Sequence, residues 1–244
     1  MKQAAHKFFH LFTILPFRKA VGLTAFYGLR KLLNPDSKVF FSQHGEDSLI
    51  QSMVKGAEGF YIDVGCNHPV KESNTFRFYL QGWNGLCIDA NKSLAHEFQQ
   101  LRRSDKVVNT IVSDAEGELD FFEFDCDTVS TVQAELVTER TKRWNLKEVR
   151  KVKAKTLTQI LEEAYPHGAP AIGLLSIDVE GHSLAALKSL DLHKYVPRLI
   201  VIEIDGFDFY KVQENDTVHY LKQHRYNLEA FDSKNGYFIL EGQR

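Results

Sequence analysis

From Phe41 onward, short runs rich in apolar, β-branched and aromatic residues alternate with segments whose apolar positions recur at helical spacing. Residues 59–65 (GFYIDVG), 85–90 (GLCIDA), 106–114 (KVVNTIVSD), 118–125 (ELDFFEFD), 171–181 (AIGLLSIDVEG) and 198–204 (RLIVIEI) predict strands. Between them, 71–83 (KESNTFRFYLQGW), 93–103 (SLAHEFQQLRR), 157–165, 182–195 (HSLAALKSLDLHKY) and 216–226 (DTVHYLKQHRY) predict helices, with Ser73 or Asn74 as a cap for the first. Residues 42–54 (SQHGEDSLIQSMV) read as a loop running into a helix. The polar stretch 128–146 interrupts the alternation and reads as a loop with a helix. Strand–helix alternation of this kind builds a parallel sheet covered by helices on both faces. The last two runs, 227–232 and 236–242, are separated by a short turn, so one of them runs antiparallel at or near an edge.

Ligands of such sheets sit at the carboxyl ends of the strands. The residues found there are Asp63 and Gly65, Asp89, Ser113 and Asp114, Asp178 and Glu180, and Glu203 and Asp205. Capping of following helices explains part of this acid enrichment. It does not explain Asp63, which lies inside an apolar run and before the glycine. The turn Gly65-Cys66-Asn67-His68-Pro69 lacks the G-x-G-x-x-G of a dinucleotide site, and no phosphate-binding G-K-[ST] is present. Asp89 follows Gly65 at the distance where an acid accepts hydrogen bonds from ribose hydroxyls. An adenosine without phosphates satisfies both facts, and S-adenosylmethionine is such a ligand. Its positive charges suit nearby carboxylates such as Asp63 or Glu46.

Composition narrows the reading. The chain has 244 residues, a formal net charge of -2 and 43% hydrophobic residues, which suits one globular domain and offers no global attraction to nucleic acid. Three cysteines without C-x-x-C spacing predict buried thiols in a reducing compartment. The expectation is therefore a cytoplasmic chain. Residues 1–34 differ from the rest: Lys2, Lys7, Arg18, Lys19, Arg30 and Lys31 stand among many aromatic and aliphatic residues, with no acid. Two readings of this segment stay open. One is a basic amphipathic element lying peripherally on the inner face of an anionic membrane; the other is a pair of helices packed on the domain or on a partner chain. The expected boundary lies between residues 34 and 35.

The stretches 41–50 (FSQHGEDSLI), 59–91 (GFYIDVGCNHPVKESNTFRFYLQGWNGLCIDAN) and 174–191 (LLSIDVEGHSLAALKSLD), in this order, resemble the FkbM-type methyltransferase family. The resemblance runs from about Phe41 to the C-terminus. It implies an S-adenosylmethionine-dependent enzyme of Rossmann-like class I fold, with a mostly parallel seven-stranded sheet, an antiparallel C-terminal hairpin strand and helices on both faces. Its members mostly methylate hydroxyl oxygens of sugars, glycans or polyketides. By position, Asp63, Gly65 and Asn67 would line the methionine part of the cofactor, Asp89 would hold the ribose, and Ser113 and Asp114 would lie beside the adenine. Gln43, Gly45, Glu46 and Asp47 would fold over it, and Asn74 would face the same pocket. His68 is either ligand-facing or a cap of its turn.

Transfer of a methyl group to an alcohol requires placement and loss of the hydroxyl proton. The candidates for that chemistry are Asp178, Glu180 and His182. Asp178 and Glu180 share a face if the strand continues that far, and such a pair raises one member's pKa. The same pair with Glu203 offers oxygen ligands to a divalent metal, which is not the favoured reading; capping of the next helix is the bland alternative for Glu180 and His182. For the acceptor, Trp144 offers a stacking face and Arg140, Arg143 and Arg150 offer charge, with Phe207 and Tyr210 as candidates for the pocket wall. The rival functions are methyl transfer to nitrogen of a small metabolite and a non-catalytic adenosine-ligand-binding module.

Overall fold

Strand β1 (Phe60–Val64) is buried along its whole length, Asp63 included, as a run apolar on both sides of that one acid requires of a central strand. The computed structural model describes residues 11–34, 36, 38–54 and 59–243. Lys2, Lys7, Phe8, Phe9 and Pro35 lie outside them. Around β1 assemble β2 (Asn84–Asp89), β3 (Lys106–Asn109), β7 (Leu174–Ile177), β8 (Leu199–Glu203), β9 (Tyr226–Asp232) and β10 (Asn235–Leu240). The order across this seven-stranded sheet is β3-β2-β1-β7-β8-β10-β9. All neighbours pair in parallel except β10, which runs antiparallel to both β8 and β9. The antiparallel strand of the C-terminal hairpin thus lies one place inside the edge.

The period-2 alternation assigns side chains to two cores. Phe60, Ile62, Val64, Leu175, Ile177, Ile200 and Ile202 face one side. There they meet helices α6 (Leu157–Ala164), α7 (Ser183–Lys188) and α8 (Asp216–Gln223). Tyr61, Cys87, Leu174, Leu199, Val201 and Tyr237 face the other, covered by α2 (Glu46–Met53), α3 (Phe76–Tyr79) and α4 (Leu94–Leu101). Leu11, Leu15 and Ala20, from the segment that contains α1 (Phe17–Leu33), join this second core. Truncating a fully buried leucine such as Leu175 is expected to cost about 2–5 kcal/mol. Cys66 and Cys87 are free and buried.

Residues 106–114 form two strands rather than one. The chain leaves the main sheet after Asn109, and β4 (Ile111–Val112) joins a second sheet of order β4-β6-β5 with β5 (Gly117–Phe124) and β6 (Leu146–Lys155). Thr110 makes the transition, its N–H on Asp89 O (3.2 Å) and its hydroxyl on Lys153 O (2.7 Å). The polar interruption, with helix α5 (Ala134–Arg140), connects β5 and β6. Among the described residues, no helix is long and apolar enough to cross a membrane.

Candidate active site

A cavity of about 900 Å³ opens at the carboxyl ends of β1, β2, β7 and β8. One wall carries Gly65, Asn67, Asp89 and Asn91; the facing wall carries Asp178, Glu180, His182, Glu203 and Lys234. The segment between β5 and β6 supplies Thr131, Arg140, Arg143 and Trp144 above them.

The first wall is built by the turn after β1. Gly65 and Cys66 donate their N–H groups to Ile88 O (2.9 and 3.2 Å). Gly65 has φ +77, and a Cβ there would stand 1.8 Å from the carbonyl oxygen of Asp178, so only glycine lets the ends of β1 and β7 meet. Asn67, also left-handed at φ 45, donates its N–H to one oxygen of Asp89 (2.9 Å), and Asn91 donates its own to the other (2.7 Å). Burial raises the Asp89 carboxyl to about 6 against the opposing pull of these two bonds. Each Asp89 oxygen keeps a lone pair for a ligand hydroxyl. His68 caps its turn: its Nδ1 accepts from the N–H groups of Val70 (3.0 Å) and Lys71 (2.9 Å).

Several residues expected to line the cofactor instead hold this wall from behind. Asp63 does not border the cavity. It is buried, accepts the Thr75 hydroxyl at 2.5 Å, and has a raised pKa because burial outweighs the Arg102 charge. Arg102, fully buried, donates to Asp105 (2.6 Å), the Tyr61 hydroxyl (2.7 Å) and Thr75 Oγ1 (2.9 Å). Asn74 donates to Ser176 Oγ (3.2 Å) and also lies off the cavity. Of the strap before α2, Gln43 and His44 border the cavity, whereas its neighbours shape it. Asp47 accepts from Phe41 N (3.1 Å) and Arg77 Nε (2.9 Å), Glu46 accepts from His44 N (2.7 Å), and Gly45 sits at φ +96 as the helix begins. Of the residues expected beside the adenine, Ser113 is buried against His182 and Asp114 is exposed, while their neighbours Ile111 and Val112 border the cavity.

The second wall gathers acids. Strand β7 stops at Ile177, so Asp178 and Glu180 do not share a strand face. They meet because the chain turns through Glu180 (φ 46) and Gly181 (φ 89). Oxygens of Asp178, Glu180 and Glu203 lie within 4.8 Å of one another. This trio can share protons or hold a divalent cation. Lys234 Nζ bonds Glu203 Oε1 at 3.0 Å and approaches Asp205 at 3.4 Å, while buried Glu203 Oε2 meets no fixed donor among the described residues and Glu203 is within hydrogen-bond reach of a protonated Asp178. Burial, then the charges of Glu203 and Glu180, push the Asp178 carboxyl well above the carboxylate range. Burial and Glu203 push Glu180 to about 7, although Arg140 stands 2.7 Å from it.

His182 precedes α7 but makes no side-chain cap bond. Gln133 Nε2 bonds both Gly181 O (3.4 Å) and His182 Nδ1 (3.1 Å). The amide nitrogen only donates, so Nδ1 accepts and Nε2–H donates to Ser113 Oγ (3.1 Å). Burial lowers the His182 pKa and keeps the ring neutral. With both nitrogens engaged, its place is to lock Ser113 and Gln133 together.

Of the residues expected to meet an acceptor, Trp144, Arg140 and Arg143 line the cavity. Arg150 is turned away, its Nη2 on Ala90 O (2.5 Å) and its guanidinium over Phe121. Phe207 stacks on Phe231 at 3.9 Å and Tyr210 is 98% exposed, so neither walls the cavity. Lys234, Asn91 and Thr131 line the cavity without having been among the expected site residues, and Gln133 braces His182 from outside it. Lys234 had a usable signal: a strand parallel to β8 ends at the ligand edge, so the turn after it must lie there too.

The parallel sheet with its penultimate antiparallel strand, and a cavity at the strand ends, define a Rossmann-like methyltransferase fold. A family model described as the methyltransferase FkbM domain matches residues 63–237, and the chain belongs to that family. No curated protein and no solved structure matches it.

Proposed function

We propose that this methyltransferase uses S-adenosylmethionine and methylates a hydroxyl oxygen of a sugar, glycan or related small metabolite. The observation that carries the reading is the two-walled cavity, with a backbone-held carboxylate at Asp89 and a near-neutral carboxyl at Glu180. The residues fit the cofactor: Asp89 has acceptor capacity for ribose hydroxyls, Ile111 and Val112 offer apolar surface to an adenine, and the acids favour a cationic ligand. When bound, S-adenosylmethionine supplies a methyl group on a sulfonium sulfur. The chain supplies placement and a base. Glu180 in its ionised form takes the acceptor's hydroxyl proton, Arg140 orients its carboxylate, and Trp144 and Arg143 meet the acceptor.

The test is incubation of the purified chain with methyl-labelled cofactor and a panel of hydroxylated and amine acceptors. Ether-linked label that Glu180→Gln abolishes is expected. Label found on amines alone would overturn the oxygen specificity. A second reading adds a divalent cation at Asp178, Glu180 and Glu203, favoured by buried Glu203 Oε2, which meets no fixed donor among the described residues. Turnover lost in chelator and restored by magnesium would assign the trio to metal; turnover indifferent to chelation would leave them proton transfer.

A further inference from the structure

We infer that helix α1 (Phe17–Leu33) is a docking surface for an anionic lipid bilayer. At 100° per residue, Phe17, Val21, Ala25, Leu29 and Leu32 fall on one side of the helix, with Phe26 and Leu33 at its margin. The opposite side, with Ala20, Leu23 and Tyr27, faces the protein: Ala20 is fully buried and the other two partly so. No described residue covers the outer side. Phe17 is 73% exposed, Leu32 81% and Leu33 76%.

Exposed large apolar side chains gathered on one side of a helix mark an interaction site. Its occupant is indicated by charge. Lys19 and Lys31 are exposed on the two flanks of the stripe, Arg18 is exposed within it near the start of the helix, Arg30 is half-buried on the side of Leu23, and residues 11–34 contain no acid. This accumulation stands out in a chain whose formal net charge is -2. A protein partner would need to supply matching acids at defined places. A bilayer with acidic headgroups supplies diffuse negative charge to long cationic side chains while the apolar stripe enters the acyl boundary. The helix is too charged and short to span, and lies in the plane of the surface. The residues just before it are tied to the domain where Ile14 O accepts the Tyr79 hydroxyl (3.1 Å), on the layer that also carries the strap with Gln43 and His44.

The experiment is flotation of the full chain with vesicles of phosphatidylcholine, alone or mixed with phosphatidylserine, at low and high salt. Sedimentation velocity without lipid runs in parallel. The expected result is flotation with the acidic vesicles only, weakened by salt. Lys19→Glu/Lys31→Glu should weaken it by more than about tenfold, since each cation near such a surface is worth about fivefold. Leu29→Glu/Leu32→Glu should abolish it, and an unchanged melting temperature confirms that both variants fold. Flotation on neither vesicle overturns the proposal. So does a lipid-free dimer that Leu29→Glu/Leu32→Glu splits, which would show the face to be covered by a second copy. Binding to both vesicles alike, indifferent to salt and to the charge reversals, also overturns it.

Discussion

The two walls of the cavity satisfy their polar groups in opposite ways. On the first wall each acid meets fixed donors. Asp89 takes two backbone N–H groups, Asp63 takes the Thr75 hydroxyl, and Arg102 ties Asp105, Tyr61 and Thr75 behind them. On the second wall acid faces acid. Asp178, Glu180 and Glu203 crowd together under Arg140 and Lys234, one carboxylate oxygen meets no fixed donor among the described residues, and Glu180 sits at positive φ. A finished hydrogen-bond network holds a ligand in place, whereas unfinished, mutually raised carboxyls are suited to exchanging a proton near neutral pH. Under the proposed function, the first wall would bind and the second would carry the chemistry.

The sharpest way to break that division is Glu180→Gln. It should lower kcat by about 10²–10⁴-fold, the usual contribution of a positioned base, and leave cofactor affinity unchanged in calorimetry. Equal losses in both would place Glu180 in binding. On the first wall, Arg102→Met should destabilise the fold by about 3–5 kcal/mol in urea denaturation, because Asp105 would be left buried without its charge partner. A variant of wild-type stability would show that the network behind the wall is dispensable.

A smaller effect sharpens the chemistry. In the proposed mechanism Glu180 acts ionised, so kcat/KM should rise with pH through about 7. Arg140 lowers the Glu180 pKa; Arg140→Met should therefore move this limb upward, by about one pH unit. An unmoved limb would assign it to another group. The smallest expected effect concerns stability. The folded pKa of Asp178 is raised, so its contribution to stability is fully present below the unfolded carboxylate pKa and is lost as pH rises. Asp178→Asn should raise the melting temperature by about 2–4 °C at pH 8 and scarcely at pH 4. Destabilisation at pH 8 would mean that the wall is not strained by its acids.

Much of this was legible because it depends on local pattern. The strand runs around Ile62, Ile88, Leu175 and Ile200 are apolar on both faces, which only a central parallel sheet accommodates, and Asp89 follows from strand order. The meeting of Asp178, Glu180 and Glu203 was legible as neighbouring strand ends, although the turn at Glu180, not a longer β7, creates it. What escaped depended on tertiary neighbours. Arg102 lies in the polar run LRRSD and reads as a solvated helix end; only the closeness of Tyr61 and Asp105 makes it buried. Asp63 and Asp47 carry the expected residue types, but their carboxylates turn toward Thr75 and Arg77 instead of the cavity. Thr110 marks a change of sheet that no periodicity reveals.

The proposed function rests on S-adenosylmethionine binding to the first wall through Asp89. Calorimetric titration of the full chain with S-adenosylmethionine, in parallel with NAD, tests it most directly. The account predicts saturable binding of the first and none of the second, weakened at least about tenfold in a folded Asp89→Ala variant. No binding of S-adenosylmethionine to a folded, ligand-free sample, with magnesium present or absent, would contradict it.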